Sequence, residues 1–300
     1  MRGLGRFLFL SLSVVLLAAA VSPGLACVGA RPFGMGLAFV AVADDVNATY
    51  WNPAGLVQLQ DPEITYMGNM NAREYINYQD YLAYAAPLGD NSAFAISYIK
   101  TVPIADLLTQ KWYWVSYAAK VGPNTSLGIN LRETRNIVAV EGVSVDSDLD
   151  VDLALFHRLS EDATFGLLVQ AVNAPDITFT EGEYEYTTHS IENWRPSIAL
   201  HPDPNTTVAV SLYDALNNAE DGARHFRLGF ERIVDSGEDH YLAYRAGYTG
   251  IILLDADEEA IPKGPTVGIG YGTDKFRLDG ALLRGDYDDA FFLSVTVPLS

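Results

Sequence analysis

The residues able to do chemistry are few and scattered. Histidine occurs only at His157, His189, His201, His225 and His240, and cysteine only at Cys27. Nucleophilic or acid–base catalysis needs several such groups converging on one point. His157, His201 and His240 fall at or beside turn-forming stretches, where a solvated imidazole is the default. Only His225 sits on the polar face of a patterned segment. No serine–histidine or acid–histidine set can be assembled at one place, so an enzyme is not expected. The acidic clusters Asp146–Asp152, Glu181–Glu185, Asp255–Glu259 and Asp286–Asp289 offer carboxylate oxygens, but none has the spacing of an EF-hand loop. Most read as solvated charge, and neither a metal nor a cofactor is expected. One stripe differs. Asp148, Asp150 and Asp152 alternate with Leu149, Val151 and Leu153, which lines three carboxylates along one face. Arg132, on a neighbouring segment, is the cation placed to pair with them or to tune what passes along that face.

Such a face exists only if these segments are strands, whose successive side chains point to opposite sides. Fourteen segments qualify: Glu63–Asn69, Tyr81–Pro87, Ala93–Lys100, Lys111–Ala118, Thr125–Arg132, Asp148–Phe156, Thr164–Val172, Arg195–His201, Thr206–Tyr213, Arg224–Glu231, His240–Thr249, Pro265–Tyr271, Lys275–Leu283 and Phe291–Leu299. The first two alternate poorly. The breaks between them are alternately short and rich in turn formers, then long and polar. An even strand count with short turns at one end and long loops at the other is the pattern of an outer-membrane barrel. The rival, a β-sandwich pair, would not alternate its links so regularly. Within loop Asn173–Trp194, Ile177–Thr180 and Tyr184–Thr187 flank Glu181-Gly182 and predict a hairpin of their own.

Phase then sorts the side chains. Val208, Val210, Leu212, Phe226, Leu228, Phe230, Val267, Ile269 and Tyr271 would face lipid. Asp148, Asp150, Asp152, His225, Arg227, Glu231, Arg245, Arg277 and Asp279 would face the lumen. A charge on the lipid face at the bilayer midplane costs about 2–4 kcal/mol, which settles which side is inside. Trp112, Trp114 and Tyr117, and the tyrosines of Tyr241–Tyr248, suit interfacial girdles.

The first residues carry an export pattern: Arg2 and Arg6, an apolar run from Phe7 to Val21, then Ser22-Pro23 and Gly24-Leu25-Ala26. The run is short of the ~20 residues of a membrane-spanning helix. Cleavage after Ala26 would leave Cys27 first, where lipoproteins are acylated, although Gly24 stands where that signal usually has Leu. A lone cysteine excludes an internal disulfide. The formal charge is −19, and loss of Arg2 and Arg6 makes it more negative by two. That balance excludes nucleic acid as a partner and argues against a polybasic lipid contact.

Between leader and first strand runs an apolar, glycine-rich segment in which Gly36–Ala43 predicts a short helix. As a phosphate loop it fails, since Gly34-Met35-Gly36 has no third glycine and no preceding strand. Its pattern, Gly34-Met35-Gly36, then Ala38-Phe39-Val40-Ala41-Val42-Ala43-Asp44-Asp45, then Tyr50-Trp51-Asn52-Pro53-Ala54-Gly55-Leu56, resembles the N-terminal signature of FadL-like outer-membrane proteins. The resemblance is nearest to the shorter PorV-type members. The runs beginning at Trp194, Arg224 and Tyr244 resemble that group too. The chain departs from it in being shorter than the fatty-acid transporters and in lacking a terminal aromatic residue.

The resemblance implies a transmembrane, antiparallel, up-and-down barrel of about fourteen strands over 61–300, preceded by a leader (1–26) and a lumenal plug or hatch (27–60). It implies hatch residues Gly34, Gly36, Asn52, Pro53, Ala54 and Gly55, while the strand phase offers Arg132, Asp148, Asp150, Asp152, His225, Arg227, Arg245 and Arg277 as lumen-lining candidates. The function implied is uptake of hydrophobic, fatty-acid-like molecules through a plugged barrel in the outer membrane, with its lipid as surroundings. The alternative is a PorV-type barrel that transports nothing and escorts secreted proteins at the cell surface. A soluble lipid-binding β-protein, tethered at Cys27, is a third reading.

Overall fold

The computed structural model describes residues 27–69, 80–101, 108–190, 192–216, 224–237, 240–253, 264–284 and 289–299. The expected leader, Asp255–Glu259 and the pair Asp286 and Asp288 lie outside the described residues. Fourteen strands close into one antiparallel barrel: β1 (Glu63–Asn69), β2 (Asp80–Pro87), β3 (Ser92–Lys100), β4 (Leu108–Gly122), β5 (Thr125–Val138), β7 (Asp148–Ser160), β8 (Ala163–Gln170), β11 (Asn193–Asp203), β12 (Thr206–Tyr213), β13 (Arg224–Gly237), β14 (His240–Leu253), β15 (Gly264–Thr273), β16 (Arg277–Arg284) and β17 (Asp289–Pro298). Each pairs with its neighbour in sequence, and β1 pairs with β17 from Glu63↔Pro298 to Asn69↔Phe292. Closure leaves the sheet no edge.

All fourteen expected segments are barrel strands, and several run further than their alternation. β4 and β5 stay paired from Gly122↔Thr125 out to Leu108↔Val138. Their outer turns rise at the long-loop end to meet a second sheet of three strands, β6 (Val143–Val145), β9 (Asp176–Glu181) and β10 (Tyr184–His189), in the order β10-β9-β6. The β9–β10 hairpin is the one expected. β6 is too short to register as alternation. A small apolar cluster of Leu108, Val145, Ile177 and Phe179 holds this cap to the rising strands.

The outer face is the expected apolar one, with Val267 and Ile269 each 54% exposed and Val210, Leu228 and Phe230 beside them. Two expectations fail. Trp112 and Trp114 are not girdle residues: both are buried, whereas Val115 and Tyr117, which follow them in the opposite phase, are exposed. Parity decides this, because residues 112, 114 and 116 share one face of β4. The short helix over Gly36–Ala43 is also absent. Gly36 and Leu37 have φ of 59° and 65°, and Ala43 has 31°, left-handed values that no right-handed helix accommodates. The helical turns lie on either side, as α1 (Ala30–Gly34) and α2 (Ala48–Trp51), with a 3₁₀ turn at Pro53–Gln58.

Candidate functional site

Residues 27–59 lie within the ring of strands and bond to inward side chains all round it. Ser126 Oγ donates to the Ala54 carbonyl at 2.7 Å, Asn130 Nδ2 to Thr49 at 3.1 Å, Thr164 Oγ1 to Ala41 at 2.8 Å and Thr266 Oγ1 to Gly34 at 3.2 Å. These contacts require backbone to approach wall, and wall glycines supply the room. A Cβ on Gly128 would stand 2.3 Å from the Ala54 nitrogen, on Gly166 2.4 Å from the Val40 oxygen, and on Gly247 2.2 Å from the Gly36 nitrogen. Phe33 stacks on Phe292 of β17 with centroids 3.6 Å apart.

Of the six residues expected in a hatch, Gly34, Gly36, Asn52, Pro53 and Ala54 meet the wall, whereas Gly55 packs within the segment. Gly34 packs against Gly268 and Arg245, and Gly36 against the backbone of β13 and β14. Asn52 Nδ2 donates to the Val40 and Leu155 carbonyls, while its Oδ1 accepts from the Ala54 N–H. Pro53 and Ala54 cover Gly128, and Gly55 lies against the Ala43 carbonyl.

A closed ion network ties the same segment to β13–β16. Arg31 bonds both oxygens of Glu231, at 2.9 and 2.7 Å, and also Asp44 and Asp45. Arg245 bridges Glu231 and Asp279, and Arg277 bridges Asp279 and Asp45. Burial alone would push the Asp45 carboxyl up, but Arg277 and then Arg31 outweigh it and hold it below the usual carboxylate range. Arg31, Asp44 and Asp45 went unnoticed in the sequence. Arg31 and Asp44 are 13 positions apart, but the wall partners of Arg31 and Asp45, Glu231 and Arg277, lie 200 and 232 positions away, and only the acid pair beside the glycine-rich run hinted at them.

On the opposite wall Asp148, Asp150 and Asp152 are buried. Arg132 pairs with Asp150 at 2.6 Å, and Asp152 accepts from Asn130 and from the Ala171 N–H. Trp112 and Trp114 carry the Arg132 guanidinium on their faces, at 5.6 and 5.9 Å. Above them a polar cavity of about 20 Å³ is bounded by Trp112, Arg132, Asp148 and Ser190, enough for about one water.

The third cluster lies on β11–β13. Arg195 and Arg227 stack on the Tyr213 ring at 4.2 and 4.7 Å, and His225 meets its edge. Tyr50 and Trp51 of the N-terminal segment face the two guanidiniums at 5.9 and 5.7 Å. Neither arginine forms an ion pair with a carboxylate among the described residues. His225 and Arg227 were expected on the lumen face; Arg195, at the start of a strand, was not singled out. Desolvating such an ion costs several kcal/mol, whereas a buried cation–π contact returns about 2 kcal/mol.

A closed fourteen-stranded wall, apolar outside and charged inside, with the N-terminal segment within it, is the fold of a FadL-like barrel. The chain is similar in structure to the Ralstonia pickettii toluene transporter TbuX, with a TM-score of 0.63 at 13% identity over 92% of this chain and 99% of that one. It is similar also to a Pseudomonas aeruginosa FadL homologue (0.62, 11%, 91% and 98%). The Pseudomonas putida toluene transporter TodX is a third (0.61, 11%, 91% and 98%). At these identities the likeness is one of fold. No family model and no curated protein matches the chain in sequence.

Proposed function

We propose that this chain is an outer-membrane barrel for uptake of hydrophobic small molecules, in which residues 27–60 act as the plug. The observation that carries the reading is the seating of that segment on wall glycines and the Arg31–Glu231–Arg245 network inside an otherwise closed wall. Such an element blocks free diffusion of water and ions, so passage requires it to shift or the ligand to leave through the wall. The solved barrels of the same fold include two named as toluene transporters, which supports an apolar cargo. The apolar core around Phe39, Trp51 and Leu56 gives such a cargo a surface to follow.

A second reading, the PorV-type escort of secreted proteins, draws on the cap. β10 is an edge strand of its sheet, and Tyr184 and Tyr186 on it are 71% and 50% exposed, an arrangement suited to a protein partner. Uptake of labelled toluene and of a labelled medium-chain alkane by cells with and without the protein decides between them. Protein-dependent uptake supports transport. Stoichiometric co-purification of secretion components, with no protein-dependent uptake and no bound lipid by mass spectrometry, sinks it.

A further inference from the structure

We propose that Arg195, Arg227 and His225 form a buried binding site for one small, singly charged anion. The inference goes beyond the uptake reading and rests on the wall of β11–β13 with the N-terminal residues packed against it. Among the described residues, the other arginines that face the lumen, Arg31, Arg132, Arg245 and the half-buried Arg277, each hold a carboxylate at 2.5–2.7 Å. Arg195 and Arg227 have none among the described residues, and they share one aromatic ring. Arg195 is 3% exposed, Arg227 1% and His225 0%.

Part of their hydrogen-bonding capacity is also unspent, although Arg195 bonds the Tyr50 hydroxyl and Arg227 the Cys27 thiol. Arg195 Nη1, Arg227 Nε and both ring nitrogens of His225 have no partner, although Arg195 Nε donates to Asn193 Oδ1 at 3.0 Å. Buried donors are rarely left so, and two like charges a ring apart repel. Cys27 lies against them from the N-terminal segment. Burial pushes its thiol up, more than the two arginines lower it, so it stays protonated and supplies no countercharge. An anion held by the edges of the two guanidiniums would satisfy Nη1 and Nε and cancel part of the repulsion. Protonation of His225 is not needed, because one neutral ring nitrogen donates. The shared chemistry is a monovalent anion, supplied either free or as the head of an amphiphile.

The test uses the full chain in neutral detergent. Thermal unfolding is compared in sodium bromide, sodium acetate and sodium gluconate at equal ionic strength. Bromide and acetate are expected to raise the melting temperature over gluconate by at least ~2 °C, and Arg227→Gln and Arg195→Gln to abolish that difference. Crystals grown in bromide are expected to show an anomalous peak within hydrogen-bond reach of Arg195 Nη1 and Arg227 Nε, at the edge of the Tyr213 ring. Displacement of that bromide by acetate marks a site for free anions. Displacement by decanoate, but by neither acetate nor decanol, marks a headgroup site. Identical melting in all three salts with no bromide peak overturns the proposal. The wild-type salt series and the peak decide it even if the variants do not fold. None of these readouts involves transport, so the site stands or falls separately from the uptake reading.

Discussion

Gly247→Ala tests whether the N-terminal segment is docked in the barrel as a fixed element. The new Cβ would stand 2.2 Å from the Gly36 nitrogen and 2.5 Å from the Met35 carbonyl carbon. Both are backbone atoms, so no rotamer change relieves the clash, and the segment must retreat by about 1 Å to restore ordinary contact. Gly36 holds φ 59° and its N–H donates to Thr266 Oγ1 at 3.0 Å, so retreat also strains that bond. Overpacking costs about 1–3 kcal/mol and a lost buried hydrogen bond about 1 kcal/mol, together on the order of 2–4 kcal/mol against docking. A loss of 2 kcal/mol raises the undocked population ~30-fold. Cys27 reports it, being the only cysteine and 2% exposed. Maleimide labelling of the folded protein in detergent should quicken by about that factor in Gly247→Ala. It should be unchanged in Gly280→Ala, whose Cβ would meet nothing nearer than 3.8 Å. Wild-type labelling by Gly247→Ala, with an intact barrel by heat-shifted gel migration, would refute the docking described.

Glu231→Gln leaves Arg31 and Arg245 facing an amide in a buried network; it should lower unfolding stability in urea by about 3–5 kcal/mol. The depressed Asp45 carboxyl stabilises the fold above its unfolded pKa of ~4. That contribution is lost as pH falls through the lower folded value, so urea midpoints should drop on acidification and Asp45→Asn should flatten the drop. Ile269→Lys on the outer face should cost about 2–4 kcal/mol for the barrel folded into lipid vesicles. A negligible effect there would mean that this face does not meet lipid.

The wall was readable from the chain because its rule is local. Leu149, Val151 and Leu153 against Asp148, Asp150 and Asp152 fix strand, phase and lumen face within six residues. Trp112 and Trp114 were misplaced because aromatic type was weighed above parity, although Val115 and Tyr117 already set the phase of β4. The interior was far less legible. Arg31 and Glu231 are separated by 200 positions, and the glycines at 128, 166 and 247 look like loose punctuation until the segment they admit is in place. Left-handed φ at Leu37 and Ala43 carries no composition signal, since neither residue favours it.

The pairing of β1 with β17 bears on how the molecule is made. The Thr65 and Thr296 hydroxyls meet at 2.9 Å across 231 positions of chain, so the seam forms only when the final strand has been delivered. Residues 27–59 are translated before any barrel strand, and the sheet must close with that segment inside it. Before the seam zips, two raw strand edges and the apolar flank of that occupant stand open together, a state prone to sticking to its neighbours. The slowest and most hazardous step of assembly is therefore this final long-range closure, and a chaperoning factor would do most good at the two strands that have yet to meet.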